Sequence, residues 1–386
     1  MNHNYNVKII IRILIDLGGI KVNLREQDKQ ILKSMGIDVF SEERQYWLIR
    51  TQGGEYYNDF RNENFVGIEW DEISDLKMIN KRDEEALKSE VLHYYPKTDK
   101  PGYPVNQILK FAHNMSKGDI VLIPSENSNW ISIGEILDDN MYIYEEDEED
   151  FETLLESLDN ENDEKKSILK KRRRVRWLDS VKKTDLDPYL YSVIYTHSAI
   201  ANIDKYSVFI DRTLSQFYIK GDECYFTYRV NKKKNIPYSD MRKFFRANDL
   251  IIDYLDANID DFNIDDIIFK INVQSKGPVQ YKGKISSVLA MGLLITSLFG
   301  SDFKFEGFGF NFEMSTEGLP KLLKSISDMN NNPTPELQQI KEGVNKAGES
   351  LEVTTPNIST NLDNEISIDR DEIQNENNND SISNQE

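Results

Sequence analysis

The four tryptophans of this 386-residue chain, Trp47, Trp70, Trp130 and Trp177, all fall within residues 47–177, each in a short strand-like run. The runs are Tyr46-Trp47-Leu48-Ile49-Arg50, Phe65-Val66-Gly67-Ile68-Glu69-Trp70, Trp130-Ile131-Ser132-Ile133-Gly134-Glu135-Ile136 and Arg174-Val175-Arg176-Trp177-Leu178. Between the second and third lies Lys117-Gly118-Asp119-Ile120-Val121-Leu122-Ile123-Pro124, a turn feeding a further strand. Large rings in short β runs need cover on at least one face. The order therefore constrains this stretch to a compact β-rich module whose aromatics either fill a core or line a pocket for a flat ligand.

The formal charge of −20 is unevenly spread. Residues 145–164 hold twelve acidic groups and no basic ones, and residues 331–386 hold twelve acidic against three basic. The rest of the chain is close to neutral, so its charge leaves a nucleic-acid partner open. Acidic blocks of this kind repel themselves and bury little apolar surface, so both are expected to be disordered. Cys224 is the single cysteine, which excludes an internal disulfide and a cysteine zinc cluster and points to a reducing, cytoplasmic compartment. Val7–Leu17 is apolar but interrupted by Arg12 and Asp16, without the pattern of a secretory signal.

The length allows two or three domains. The expected order is an arm over 1–43, with a helix around Glu26–Met35 ended by Gly36, then the tryptophan-rich module over 44–180 carrying an acidic insertion at 145–164. Helices are expected at about Arg82–His93 and Val105–Met115. A second α+β domain is expected over 186–330. Phe217–Lys220 and Cys224–Val230 fit a hairpin turning at Gly221-Asp222. Ser239 is positioned to cap a helix over Met241–Leu255, and Asp266–Val273 reads as a strand. Ile285–Phe299 is the most apolar run, Phe303–Met314 carries spaced phenylalanines, and Leu319–Ser327 reads as a last helix. Residues 331–386 read as a disordered tail.

Arg50-Thr51-Gln52-Gly53-Gly54 makes a turn beside Tyr56, Tyr57, Asp59 and Phe60. Stacking of a base on an aromatic face contributes roughly 1–3 kcal/mol and tolerates many bases, and Asp59 or Asn62 could read a base edge. The plain alternative is that these rings fill a β core. The succession Tyr46–Arg50, Gly54-Glu55-Tyr56-Tyr57-Asn58-Asp59-Phe60 and Val66–Trp70, continued by Lys117–Pro124, Ile133–Ile136 and Arg174–Trp177, resembles EVE domains. These are PUA-like modules of bacterial modification-dependent restriction and antiphage proteins. The resemblance covers about 130 residues and implies a small curved barrel with flanking helices. It also implies a modified, flipped or single-stranded base held by Trp47, Tyr56, Tyr57, Asp59, Phe60 and Trp70. The acidic insertion departs from the pattern, and no recognisable nuclease or NTPase domain follows.

Lys165, Lys166, Lys170, Lys171, Arg172, Arg173, Arg174 and Arg176 place eight cations within twelve residues. Lys170, Lys171, Arg172, Arg173, Arg174 and Arg176 are candidates for phosphate contacts, which would make binding salt-dependent. The same run could instead pair with the acidic block before it, or that block could compete with nucleic acid for it. Ile285–Phe299 is either a buried core helix or a membrane-inserting or oligomerising one, since spanning a bilayer takes about 20 apolar residues. Catalytic and metal motifs do not stand out: the histidines lack ligand spacing, and Gly307-Phe308-Gly309 lacks the third glycine of a dinucleotide loop. No cofactor is implied.

The sequence thus describes an α+β protein with a PUA-like barrel, a second α+β domain and an acidic tail, binding nucleic acid in a bacterial defence setting. A different class remains open. In that reading the chain is an inner-membrane-associated or homo-oligomeric effector, gated by a nucleotide or oligonucleotide signal sensed by the PUA-like module. A scaffold whose aromatics are only core is the third.

Overall fold

The computed structural model describes residues 29, 32–33, 35–145, 168–259, 262–271, 276–299 and 334–358. Two compact units emerge. One is Ser41–Leu214, the tryptophan unit; the other, the flanking unit, takes Met1–Phe40 and Ser215–Glu386. Both mix helices with sheet, so the α+β class holds.

Gly36 ends a helical turn as the sequence leads one to expect. It takes φ +82°, and the Gly36 and Ile37 amides donate to the Lys33 and Leu32 carbonyls at 2.9 and 2.8 Å. This left-handed cap satisfies carbonyls that no further turn would reach. Strand β1 (Asp38–Phe40) follows in the flanking unit.

The tryptophan unit contains β2 (Tyr46–Ile49), β3 (Phe65–Ile68), β4 (Ile120–Pro124), β5 (Trp130–Ile136), β6 (Tyr142–Ile143), β7 (Lys171–Lys182) and β8 (Ile200–Asn202). Their order is β3-β7-β5-β4-β2-β8, with β6 beside β7. β2 and β4 run parallel; the other pairs are antiparallel. β7 curls the sheet into a half-barrel. Its residues Lys171–Arg174 pair with β3 while Val175–Lys182 pair with β5. A register shift at Ile133/Gly134 adds the local bend that a bulge gives.

Two cores form on the two faces, and period-two alternation explains them. Trp47 and Ile49 join the core under α1 (Tyr57–Glu63), α2 (Leu76–Lys81), α3 (Glu84–Tyr94) and α4 (Gly102–His113). Tyr46 and Leu48 face the other way, into a core closed by Leu186, Leu190, Val193, Ile203 and Ile210. Asp75 and Asp83 cap α2 and α3 through their carboxylates. Residues 186–214, expected to open the second domain, instead complete this unit, ending with α5 (Ser207–Leu214). The sequence gives no apolar run there long enough to show that a second face needs covering.

In the flanking unit the expected hairpin forms between β9 (Phe217–Lys220) and β10 (Glu223–Val230). β11 (Ile267–Ile271), β12 (Gly277–Lys284) and β13 (Val353–Thr354) complete the order β1-β9-β10-β12-β11, with β13 on the end of β10. Helices α6 (Tyr238–Asn258), α7 (Ile285–Phe299) and α8 (Pro335–Leu351) pack with this sheet. Ser239 does not cap α6; the helix starts one residue earlier, behind Pro237, and no side chain caps it.

α7 is the apolar run, and it is a core helix. Val288, Met291, Leu294 and Ile295 are buried against β10, β12, α6 and α8. Gly292 lies so close to the sheet that a Cβ there would stand 2.6 Å from Phe217 Cζ. Two hydroxyls of the helix have partners nearby, Ser287 Oγ accepting from the Asn263 amide and Ser297 donating to the Leu294 carbonyl. Fifteen residues rise about 22 Å, short of the ~30 Å hydrocarbon layer. Among the described residues no helix is long and apolar enough to cross a membrane.

The expectation of disorder from residue 331 fails over 334–358. α8 buries Leu337, Ile340, Val344, Ala347 and Leu351, one apolar stripe at helical spacing hidden in an acidic, amide-rich composition. Val7–Leu17, most of the acidic insertion, Lys165, Lys166, Phe303–Met314, Leu319–Ser327 and the tail past 358 lie outside the described residues.

Candidate functional site

The aromatic set divides. Trp47, Tyr56 and Phe60 are 2%, 4% and 0% exposed and belong to the helix-covered core. Trp47 is fixed there by its indole N–H, which donates to Asp119 Oδ2 at 3.0 Å. Asp119 also accepts from the Ser116 and Gln45 amides, so the Lys117-Gly118-Asp119 turn locks the ring that starts the module. Tyr57, Asp59 and Trp70 are half-buried. Tyr57 lies on α1 rather than beside a strand, and its hydroxyl sits 2.7 Å from Ser132 Oγ on β5. Trp70 adopts φ +64°, uncommon for a bulky residue, and its ring meets Tyr103 edge-on at 6.1 Å. Burial, with Asp71 and Glu55 nearby, pushes the neighbouring Glu69 carboxyl up.

The basic run divides as well. Arg173 is fully buried, donating to the carbonyls of Phe111, Ala112 and Asp138 at 2.8, 3.0 and 3.0 Å. Arg172 lies between the rings of Phe65 and Tyr144, 3.9 and 3.7 Å from their centroids. It also bonds Glu63 and the Ile168 and Leu169 carbonyls. Lys171 is buried too, its ammonium donating to the Trp70 carbonyl at 2.7 Å. These three side chains are turned inward to tie β7 to β3 and α4, which is why a strand carries so many cations. Lys170 is half-buried, while Arg174 and Arg176 are exposed and pair with Asp138 and Glu135.

Two exposed rings, each with an ammonium group beside it, gather elsewhere, at one end of the sheet. Pairing brings the ends of β2, β4 and β7 and the starts of β5 and β8 to the same edge: Ile49 opposite Ile200, Pro124 opposite Ile131, Trp130 opposite Lys182. Two abutting turns form this rim. Gln52, Gly53 and Gly54 have φ of +47°, +70° and +112°, and Asn127 and Ser128 have +53° and +54°. A Cβ on Gly54 would stand 2.4 Å from the Glu126 nitrogen. Left-handed non-glycine residues cost of order 1–3 kcal/mol each and cluster at functional sites.

On this rim Trp130 is 41% and Tyr195 65% exposed. The Lys182 ammonium lies 5.3 Å from the Trp130 ring and that of Lys183 5.9 Å from the Tyr195 ring. The Lys183 amide donates to the Asn129 carbonyl at 2.9 Å, which joins the two pairs. Arg50 holds residues 194–196 in place, its guanidinium donating to the Ile194 and Thr196 carbonyls at 3.0 and 3.1 Å. Further along the loop, the Ala199 amide donates to Tyr103 Oη at 3.0 Å, which leads back to Trp70. The result is a rim of rings and ammonium groups able to stack flat molecules and attract anions. Sequence reasoning named Trp70 and the Gly53-Gly54 turn but missed Trp130, Lys182, Lys183 and Tyr195 as site residues. The signal was the Tyr189, Tyr191, Tyr195 series after a lysine pair, in a stretch read as the start of the second domain.

Residues 46–204 match a family model described as a domain of unknown function, DUF8426. The matched range lies within the tryptophan unit. A hypothetical protein from Leishmania major is similar at 13% identity, with 44% of this chain and 94% of that chain covered and a TM-score of 0.21. No curated protein matches the chain.

Proposed function

We propose that the tryptophan unit is a PUA-like, EVE-like module that binds nucleic acid at the rim, stacking an unpaired, flipped or modified base on Trp130 or Tyr195. The observation that carries this reading is the pairing of two exposed rings with two adjacent ammonium groups, Trp130 with Lys182 and Tyr195 with Lys183. Aromatic platforms beside cations are what single-stranded nucleic acid requires: rings for the bases, ammonium groups for the phosphates. The curled sheet with its flanking helices supports the PUA-like part. The bacterial defence setting follows from the family resemblance alone.

Fluorescence anisotropy on short single-stranded DNA and RNA, with and without modified bases, tests the reading. Trp130→Ala and Tyr195→Ala should each lose about 1–3 kcal/mol of binding with little change in melting, because both rings lie at the surface outside the cores. Lys182→Ala and Lys183→Ala should each lower the slope of log affinity against log salt by about 0.7. Trp47→Ala should act on stability instead, by about 3–5 kcal/mol. If no oligonucleotide binds, or if binding ignores all four rim variants, the rim is not a nucleic-acid site.

A further inference from the structure

The flanking unit holds a cavity of about 210 Å³ between α6 and the β11–β12 pair. Phe245, Asp249 and Ile252 bring one face of α6 to it, Phe269 stands opposite, and Tyr281 and Met291 are buried among its walls. Phe245 and Phe269 are 45% and 38% exposed, so the aromatic walls reach the surface.

Its polar groups differ in one respect. The Tyr281 hydroxyl donates to Asn248 Oδ1, and Asn248 Nδ2 donates to the Phe244 carbonyl at 2.8 Å, so these two groups already have partners. Asp249 is exposed at the cavity, and its carboxylate makes no ion pair or hydrogen bond among the described residues. No basic side chain lines the cavity among the described residues. Aromatic ring faces carry negative potential and attract a cation, most strongly where water is excluded. A small apolar cavity with one charged group at its edge is the form that ligand sites commonly take.

We propose that this cavity binds a small organic cation: an ammonium group set against Asp249, on an aromatic or branched apolar body that fills the space between Phe245, Phe269 and Tyr281. The site is separate from the rim of the tryptophan unit and does not depend on that assignment.

Titration calorimetry on the full chain, with tryptamine as the probe, tests it. Indole is the neutral control and indole-3-acetate the anionic one. Saturable one-to-one binding of tryptamine is expected, with indole weaker and indole-3-acetate weakest. Asp249→Asn should weaken tryptamine about fivefold while leaving indole unchanged. Ile252→Trp, which fills the cavity, should abolish binding of both. Phe245→Ala, at a surface position outside the core, provides a second variant that keeps the fold and should also weaken tryptamine. The proposal is overturned if tryptamine does not saturate, if its binding survives both Ile252→Trp and Phe245→Ala, or if the neutral and anionic analogues bind as well.

Discussion

Arg173 shows how a residue's type and its role can part company. A guanidinium with three backbone carbonyls around it and no exposure cannot also meet a phosphate. Lys171 carries a penalty that pH can reveal. Burial pushes its ammonium down to about 8 from an ordinary 10.5, against the pull of Asp71. Between those values the unfolded chain holds the proton and the folded chain has released it. Stability therefore rises with pH from about 8 to 10.5, while below pH 8 both states are protonated and the full penalty stands. At 1.36 kcal/mol per pH unit the swing is at most about 3 kcal/mol. Urea unfolding at pH 7.5 and pH 10 should show the native chain gaining up to that amount relative to Lys171→Met. Parallel behaviour of the two proteins would mean that the ammonium is better solvated than its burial implies.

At the scale of elements, α8 is the clearest case of a segment whose composition hides its structure. Its exposed face is Glu, Gln, Lys and Asn, but Thr334 caps it and five side chains on one stripe are buried against the flanking core. Truncating a buried Ile or Leu to Ala typically costs 2–5 kcal/mol. Ile340→Ala should therefore lower stability by about 2–4 kcal/mol, whereas Glu342→Ala, on the opposite face, should stay within about 0.5 kcal/mol. Equal, negligible effects in denaturant titration would show that α8 does not dock.

The whole molecule supplies its own reporters. All four tryptophans belong to Ser41–Leu214, and Cys224 lies fully buried in β10 of the flanking unit. Burial also pushes the Cys224 thiol well above its ordinary value, so Cys224 should react with a thiol reagent only when that unit opens. Ile340→Ala should speed labelling of Cys224 while moving the tryptophan-fluorescence transition by much less. If both probes shift by the same free energy, the chain unfolds as one cooperative body.

Local physics determined much of this protein from sequence alone. The strand cores Tyr46–Ile49, Phe65–Ile68, Ile120–Pro124 and Trp130–Ile136, the hairpin at Gly221-Asp222 and the cap at Gly36 depend on periodicity and backbone preference between near neighbours. Tertiary structure decided what each side chain is for. Trp47 and Trp130 start similar runs, yet one is locked to Asp119 in a core and the other stands on the rim, because only one meets covering helices. Arg173 and Lys182 lie on the same strand, but the curl of β7 directs one inward and leaves the other in solvent. Burial depends on residues distant in the chain, and a single sequence does not state which of them will arrive.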